Sequence, residues 1–185
     1  PLRVACVIPT YNGRRELERL LDSLAAQTAT FDTLIVDSSS TDGTWELARA
    51  RCANAVQIAS KDFNHGGTRQ MMAETHPGYD VFVYLTQDAY LEDPRAVENI
   101  LLPFEDPLVG AACGRQLPHL DATVLAQHAR WFNYPPVSRI KTLADIPEMG
   151  IKVPFMSNSF AAYRRDALRA VGGFPRHVIL SEDMY

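Results

Sequence analysis

Through residues 1–115 short apolar runs alternate with helical segments, and this rhythm narrows the fold more than any other feature. RVACVIP (Arg3–Pro9), TLIVD (Thr33–Asp37), AVQIA (Ala55–Ala59), VFVYLTQ from Val81 and LVGAACG from Leu108 carry the bias of strands. Between the first two runs, Leu17, Leu20, Leu21 and Leu24 recur at i, i+3, i+4 and i+7. That spacing predicts an amphipathic helix over GRRELERLLDSLAAQ. DGTWELARARCA and GGTRQMMAET predict the second and third helices. Asp93-Pro94 predicts the start of a fourth, with Asp as cap and Pro at the first helical position. Strands alternating with helices imply an α/β fold, a mainly parallel, Rossmann-like sheet covered on both faces. VFVYL is apolar without alternation, as a central strand requires.

After Gly114 the rhythm breaks. DATVLAQHARWF predicts a helix, and NYPPVSRIKTLADIPEMGIKVP reads as loop. FMSNSFAAYRRDALRAVGGF reads as a strand, then a short helix ended by Gly172-Gly173. A chain of 185 residues predicts one domain, with residues 1–115 as a nucleotide-binding half and 116–185 as an irregular acceptor-side half. The last residues, LSEDMY, hold no turn signal, so further chain is expected after Tyr185.

Composition removes several classes of function. The net charge of -4 gives nucleic acid no basic face, so no nucleic-acid partner is expected. Cys6, Cys52 and Cys113 are scattered and form no CxxC pair, which predicts neither a zinc site nor a disulfide framework. Reduced, buried thiols suit a cytoplasmic setting. No apolar run approaches the roughly 18 residues of a membrane span, and no signal peptide is expected before the first strand.

In open α/β sheets ligands sit beyond the carboxyl ends of the strands. Those ends hold Pro9-Thr10-Tyr11-Asn12, Asp37-Ser38-Ser39, the Phe63–Gly67 loop and Gln87-Asp88. A structural sheet has no need of two carboxylates there. No GxGxxG follows the first strand and no GxxxxGK[ST] occurs, which argues against a dehydrogenase and a P-loop NTPase. The paired glycines of NHGGTR could hold phosphate at a helix start or form a plain turn. Asp88 either holds a metal ion or caps its turn; Asp37 either meets a ligand or caps its own.

The chain resembles an inverting family 2 glycosyltransferase of the GT-A fold. The resemblance runs in order through VIPTYNGRRELERLLDSLAAQT, LIVDSSSTDGTWELA, GGTRQMMAE, VYLTQDAYLED, NSFAAYRRDALRAVGGF and SEDMY. LTQDA and FNHGGTR look most like the rhamnosyltransferase branch, which uses a deoxythymidine-diphosphate sugar. The resemblance implies transfer of a sugar, rhamnose in that branch, from a dTDP- or UDP-linked donor to a saccharide or lipid-linked acceptor. It implies Mg²⁺ or Mn²⁺ at Asp88, and nucleotide contacts from Pro9, Thr10, Tyr11, Asp37, Arg69, Gln87 and Asp88. Asp183 becomes the base that takes the acceptor's proton, with Ser157, Asn158 and Glu182 around sugar and acceptor. Bacterial polysaccharide assembly at the inner face of the cytoplasmic membrane follows, with peripheral association through chain beyond this stretch.

Two departures stand out. Ser38 occupies a place where many relatives carry a second acid, and Gln87 replaces the first member of an acidic pair, leaving Asp88 alone. One carboxylate can suffice for Mg²⁺, which fills its shell with phosphate oxygens and water. His65 could touch the diphosphate or be solvated. Asp42 reads as a helix start. Trp131, Phe132 and Tyr134 read as a sugar-stacking wall or as packing. A nucleotidyltransferase would place a glycine-rich loop with Arg or Lys directly after the first strand, where PTYNGRR stands. A nucleotide-binding module without catalysis is the non-enzyme alternative, marked by binding without turnover.

Overall fold

The computed structural model describes residues 1–178 and 181–184; Tyr185, which ends the SEDMY motif, lies outside the described residues. Six strands form one sheet: β1 (Val4–Thr10), β2 (Asp32–Asp37), β3 (Asn54–Gln57), β4 (Val81–Leu85), β5 (Ala111–Cys113) and β6 (Phe160–Arg164). The helices are α1 (Arg14–Ala25), α2 (Thr44–Arg51), α3 (His65–Thr75), α4 (Ala96–Leu101), α5 (Val124–Asn133), α6 (Ile146–Met149) and α7 (Arg165–Ala170). The sheet order is β3-β2-β1-β4-β6-β5.

β1 to β4 are parallel neighbours in the manner expected. β6 then enters between β4 and β5, antiparallel to both. The fifth strand therefore keeps the direction of β4 but is separated from it. It is also short, only Ala111–Cys113.

Alternation along each buried strand splits the core into two layers. Val81, Val83 and Leu85 of β4 face the leucine stripe of α1, with Ile8 and Ile35. Phe82 and Tyr84 face the other way, among Met72, Tyr163, Leu168 and Phe174. Each such side chain contributes about 1.5–3 kcal/mol when fully buried. Both faces of β4 are covered, which accounts for its unbroken hydrophobicity.

Three local expectations are corrected. The fourth helix begins at Ala96, and Asp93 instead closes the preceding turn by accepting the Arg95 N–H at 2.8 Å. α3 starts at His65, so the paired glycines lie inside its first turn. Its N-cap is Asn64, whose side chain accepts the Gly67 N–H at 2.8 Å. A Cβ on Gly66 would meet the Pro175 carbonyl oxygen at 2.0 Å, so this glycine serves a close chain approach.

The chain divides into a unit of residues 1–113 with 156–185, and a unit of residues 114–155. The expected acceptor-side half, 116–185, is thus split, because β6 belongs to the sheet. Within the 114–155 unit Tyr134 is the one buried residue. Tyr134 packs edge-on against Phe155 with ring centroids 5.7 Å apart. Lys152 lies 4.3 Å over Phe132, and Arg115 5.5 Å over Trp131.

Candidate active site

Parallel pairing carries the ends of β1, β2 and β4 to one edge of the sheet. Thr10 lies opposite Asp37, and Pro9, half-buried, opposite Val36. Because β6 is antiparallel, its first residue Phe160 lies opposite Leu85, the last of β4. Ser157 and Asn158, just before β6, therefore stand at the same edge as Gln87 and Asp88, just after β4. The reversed strand brings the two halves of the predicted site together.

At the β2 end, Asp37 is fully buried. Its Oδ1 accepts from the Ser40 hydroxyl at 2.5 Å and the Thr10 hydroxyl at 3.2 Å. Its Oδ2 accepts from the Ser40 N–H at 2.9 Å and from Gln57 Nε2 at 3.0 Å. Four donors fill this carboxylate, so Asp37 holds the rim together and has no exposed atom to offer a base or ribose. Ser38, in the departed acid position, is buried, and its Oγ has no partner among the described residues.

Gln87 and Tyr11 form a clamp between the ends of β4 and β1. The Tyr11 N–H donates to Gln87 Oε1 at 2.8 Å, and Gln87 Nε2 donates to the Tyr11 carbonyl at 3.0 Å. The amide of Gln87, expected to meet nucleotide, thus bonds the Tyr11 backbone through its oxygen and one of its N–H groups. It leaves Tyr11 53% exposed at this edge. Asn12, at φ 43°, ties this loop to the next through the Ser40 hydroxyl (2.9 Å) and the Thr41 N–H (2.9 Å). Asp42 accepts from Thr44 and from the Arg14 N–H, joining the starts of α2 and α1. The Thr44 hydroxyl holds the Asp42 carboxyl below its ordinary pKa. Its reading as a structural residue is met.

Asp88 differs from all of these. It follows Gln87 in a turn closed by the Ala89 N–H to the Thr86 carbonyl at 3.0 Å. The side chain is exposed and makes no hydrogen bond or ion pair with the described residues, so it does not cap that turn.

Arg69 is corrected as well. Its side chain is 4% exposed and pairs through Nη1 with Glu182 Oε1 at 2.9 Å. The same nitrogen reaches the His65 carbonyl at 3.0 Å. Neither Arg69 nor Glu182, whose side chain is 7% exposed, is free to touch nucleotide or sugar. Asn158 is buried, and its Nδ2 donates to Glu182 Oε1 at 3.1 Å. Its backbone N–H donates to Asp183 Oδ2 at 2.9 Å. Asp183 is half-buried. Ser157 is half-buried, and its carbonyl accepts the Phe160 N–H at 3.1 Å. His65 packs edge-on against Phe63 at 4.9 Å. Trp131 and Phe132 are 52% and 61% exposed while Tyr134 is buried, so the aromatic group does not act as one packed cluster.

Among the described residues no group of three or more His, Cys, Asp or Glu is placed to hold one ion. Asp88 nevertheless suits a hard divalent cation that keeps most of its shell for phosphate and water. It supplies oxygen, it is accessible, and no cation among the described residues pairs with it. Sequence reasoning missed Gln57, Ser40 and Tyr163. Burial drives the Tyr163 phenol well above its ordinary range, with the nearby Asp183 charge adding to the effect. Ser40 and Tyr163 lie inside LIVDSSSTDGTWELA and NSFAAYRRDALRAVGGF without standing out from their neighbours, Gln57 lies in neither, and the Asn12-Gly13 and Asp42-Gly43 pairs announce only special turns.

This arrangement places a bare acid and a half-buried acid beyond the carboxyl edge of a doubly covered sheet. The architecture is that of the GT-A fold. A mannosyltransferase from Pyrobaculum calidifontis, in complex with GDP-Man and Mn²⁺, matches with TM-score 0.67 at 22% identity, over 98% of this chain and 50% of that one. S. aureus TarS in complex with UDP-GlcNAc matches with TM-score 0.72 at 18% identity, over 99% and 51%. The chain belongs to glycosyl transferase family 2, whose model matches residues 5–172. It is 50% identical to the O-antigen chain rhamnosyltransferase RfbN of Salmonella typhimurium, over all of this chain and 59% of that protein. It is 48% identical to the O-antigen chain rhamnosyltransferase WbaN of Salmonella anatum, over 97% and 58%. The chain therefore spans somewhat under two thirds of the length of these curated relatives.

Proposed function

We propose that this chain carries the donor site and the proton acceptor of an inverting glycosyltransferase. It moves a sugar from a nucleoside-diphosphate sugar to an acceptor hydroxyl. The half-identical relatives named as rhamnosyltransferases support rhamnose as the sugar and an O-antigen saccharide, lipid-linked, as the acceptor. The structural neighbours bound to GDP-Man and UDP-GlcNAc support the donor class, and the branch resemblance favours dTDP or UDP. We place the reaction in the cytoplasm, at the inner face of the membrane, where such donors and acceptors meet.

The observation that carries this reading is the pairing of Leu85 with Phe160, which sets Asp88 and the Asn158–Asp183 contact at one sheet edge. Asp88 would hold Mg²⁺ or Mn²⁺, which when bound neutralises the diphosphate and so improves it as a leaving group. Tyr11, half exposed beside the Gln87 clamp, offers its ring to the base. Asp183 accepts the proton of the attacking hydroxyl. Its Oδ2 is fixed by the Asn158 N–H, which leaves Oδ1 to face the acceptor. A carboxylate so placed contributes typically 10²–10⁴-fold to rate.

Two variants of the full-length protein test this. Asp183→Asn is expected to lower turnover by about 10²–10⁴-fold while leaving nucleotide binding intact. Asp88→Asn is expected to abolish the Mn²⁺-dependent part of the thermal stabilisation given by dTDP or UDP, which follows mass action. Stabilisation by adenine nucleotides alone would defeat the reading.

A further inference from the structure

We propose that Glu182 is a positioning residue for Asp183, acting through a buried brace that Arg69 and Asn158 complete. The inference rests on the reading of Asp183 given above.

Glu182 and Asp183 are neighbours in the single turn Glu182–Met184, yet they face different partners. Glu182 points inward, where Oε1 takes both the Arg69 guanidinium and the Asn158 amide. Asp183 is held by the Asn158 backbone N–H. One residue therefore grips both acids, with its side chain on Glu182 and its main chain on Asp183. The brace is anchored to the central sheet, because the Tyr84 hydroxyl of β4 donates to the Arg69 carbonyl at 3.1 Å. It also lies beside α3 at a second place, where a Cβ built on Gly66 would be 3.4 Å from Glu182 Cβ, an ordinary contact distance.

The backbone leading into the turn needs such support. Ser181 sits at φ 63°, a conformation that costs a non-glycine residue free energy and persists only when its surroundings fix it. A buried ion pair is a poor device for stability alone, since apolar residues of similar volume do as well or better. Its value here is orientation and charge. The pair fixes the turn, so that Asp183 presents its free oxygen in one place. It also neutralises a guanidinium that is 4% exposed and pairs with no other carboxylate among the described residues. Among the described residues, His65, with Nδ1 3.5 Å from Arg69 Nη1, and Tyr163, whose phenol feels the charges of Asp183 and Arg69, also face the brace. Neither compensates Arg69 as a carboxylate does.

The test measures dTDP-rhamnose hydrolysis by the full-length protein, with water accepting the sugar. Glu182→Gln keeps the shape and the Asn158 contact but removes the charge. It is expected to lower kcat roughly 100-fold, the cost of a small misplacement of a catalytic group, with KM for dTDP-rhamnose unchanged. In an Asp183→Asn background the same substitution should lower kcat no further. A wild-type kcat in Glu182→Gln, or an equal additional loss in the Asp183→Asn background, would overturn the proposal. If Glu182→Gln is unfolded at the assay temperature, Arg69→Gln/Glu182→Gln, which removes both charges, takes its place; the same loss of kcat is expected and a wild-type kcat overturns the proposal. Full turnover by Asp183→Asn would instead remove the underlying reading of Asp183, a result distinct from failure at Glu182 alone.

Discussion

The end of β2 and the end of β4 make an instructive pair. Both are buried parallel strands that stop at the same edge of the sheet, and both are followed or closed by an aspartate. At the β2 end every lone pair of Asp37 is met by Thr10, Ser40 or Gln57, and no atom reaches solvent. At the β4 end Asp88 stands exposed beside a glutamine that is wholly engaged with Tyr11. One carboxylate is part of the frame and the other stands outside it, with no partner among the described residues. Position at a strand tip does not separate the two roles; the count of protein donors does.

The sharpest way to break this comparison is to truncate the framed carboxylate. Asp37→Ala leaves the Ser40 N–H, the Gln57 amide and two hydroxyls without their shared acceptor. Each unmet buried donor costs about 1–3 kcal/mol, and the hydroxyls can turn elsewhere, so a loss of about 3–5 kcal/mol is expected in urea unfolding. Asp37→Asn should lose less, because its amide can donate to the Thr10 and Ser40 hydroxyls. A loss under about 1 kcal/mol for Asp37→Ala would mean that the β2 rim is open in solution, and that Asp37 is free for nucleotide after all.

A smaller effect is expected where the two rims are joined. A Cβ on Gly13 would meet Gln87 Nε2 at 2.3 Å and Cδ at 2.5 Å. Gly13 has φ -143°, an ordinary extended value, so the demand for glycine there is one of space alone. Gly13→Ala must displace the Gln87 side chain from Tyr11, at a cost of about 1–3 kcal/mol. Removing the obstructing side chain should cancel the clash: Gly13→Ala/Gln87→Ala is expected to be no less stable than Gln87→Ala alone, a coupling that a double-mutant cycle reads directly. Additive losses would show that the glycine answers to something other than Gln87.

Much of this frame was legible in the residues. Apolar runs of the right length located β1, β2 and β4, and the leucine spacing located α1, because burial imposes period two on strands and 3.6 on helices. The polar edge followed from where each run stopped. What escaped was set by contacts between distant parts of the chain. Nothing in FAAYR says that it pairs backward with VFVYL, so the reversal of β6 and the splitting of residues 116–185 could not be read. Arg69 and Glu182 lie far apart in the chain, and a buried pair of this kind leaves no local pattern, so each looked available to a ligand. Gln57 closes Asp37 from a strand whose own residues are mostly exposed. Asp93-Pro94 carried helix-start chemistry, yet its carboxylate closed the turn one step earlier.

The smallest expected effect is the one that completes the comparison. Asp88→Ala removes a carboxylate with no protein partner among the described residues, from an exposed turn whose backbone bond from Ala89 to Thr86 does not involve the side chain. Nothing in the frame is lost, so the unfolding free energy from urea titration should change by no more than about 0.5 kcal/mol in either direction. That near-zero result has content only beside the Asp37 value. Two aspartates at neighbouring strand ends would then differ in stability by several kcal/mol in the ligand-free protein, and the difference should narrow when Mn²⁺ and a nucleoside diphosphate are added. The proteins that keep Asp88, wild type and Asp37→Ala alike, would gain the metal-dependent part of the binding free energy, and Asp88→Ala would not. A loss above about 1 kcal/mol in the ligand-free Asp88→Ala protein would give Asp88 a role in the frame and erase the distinction on which the donor site rests.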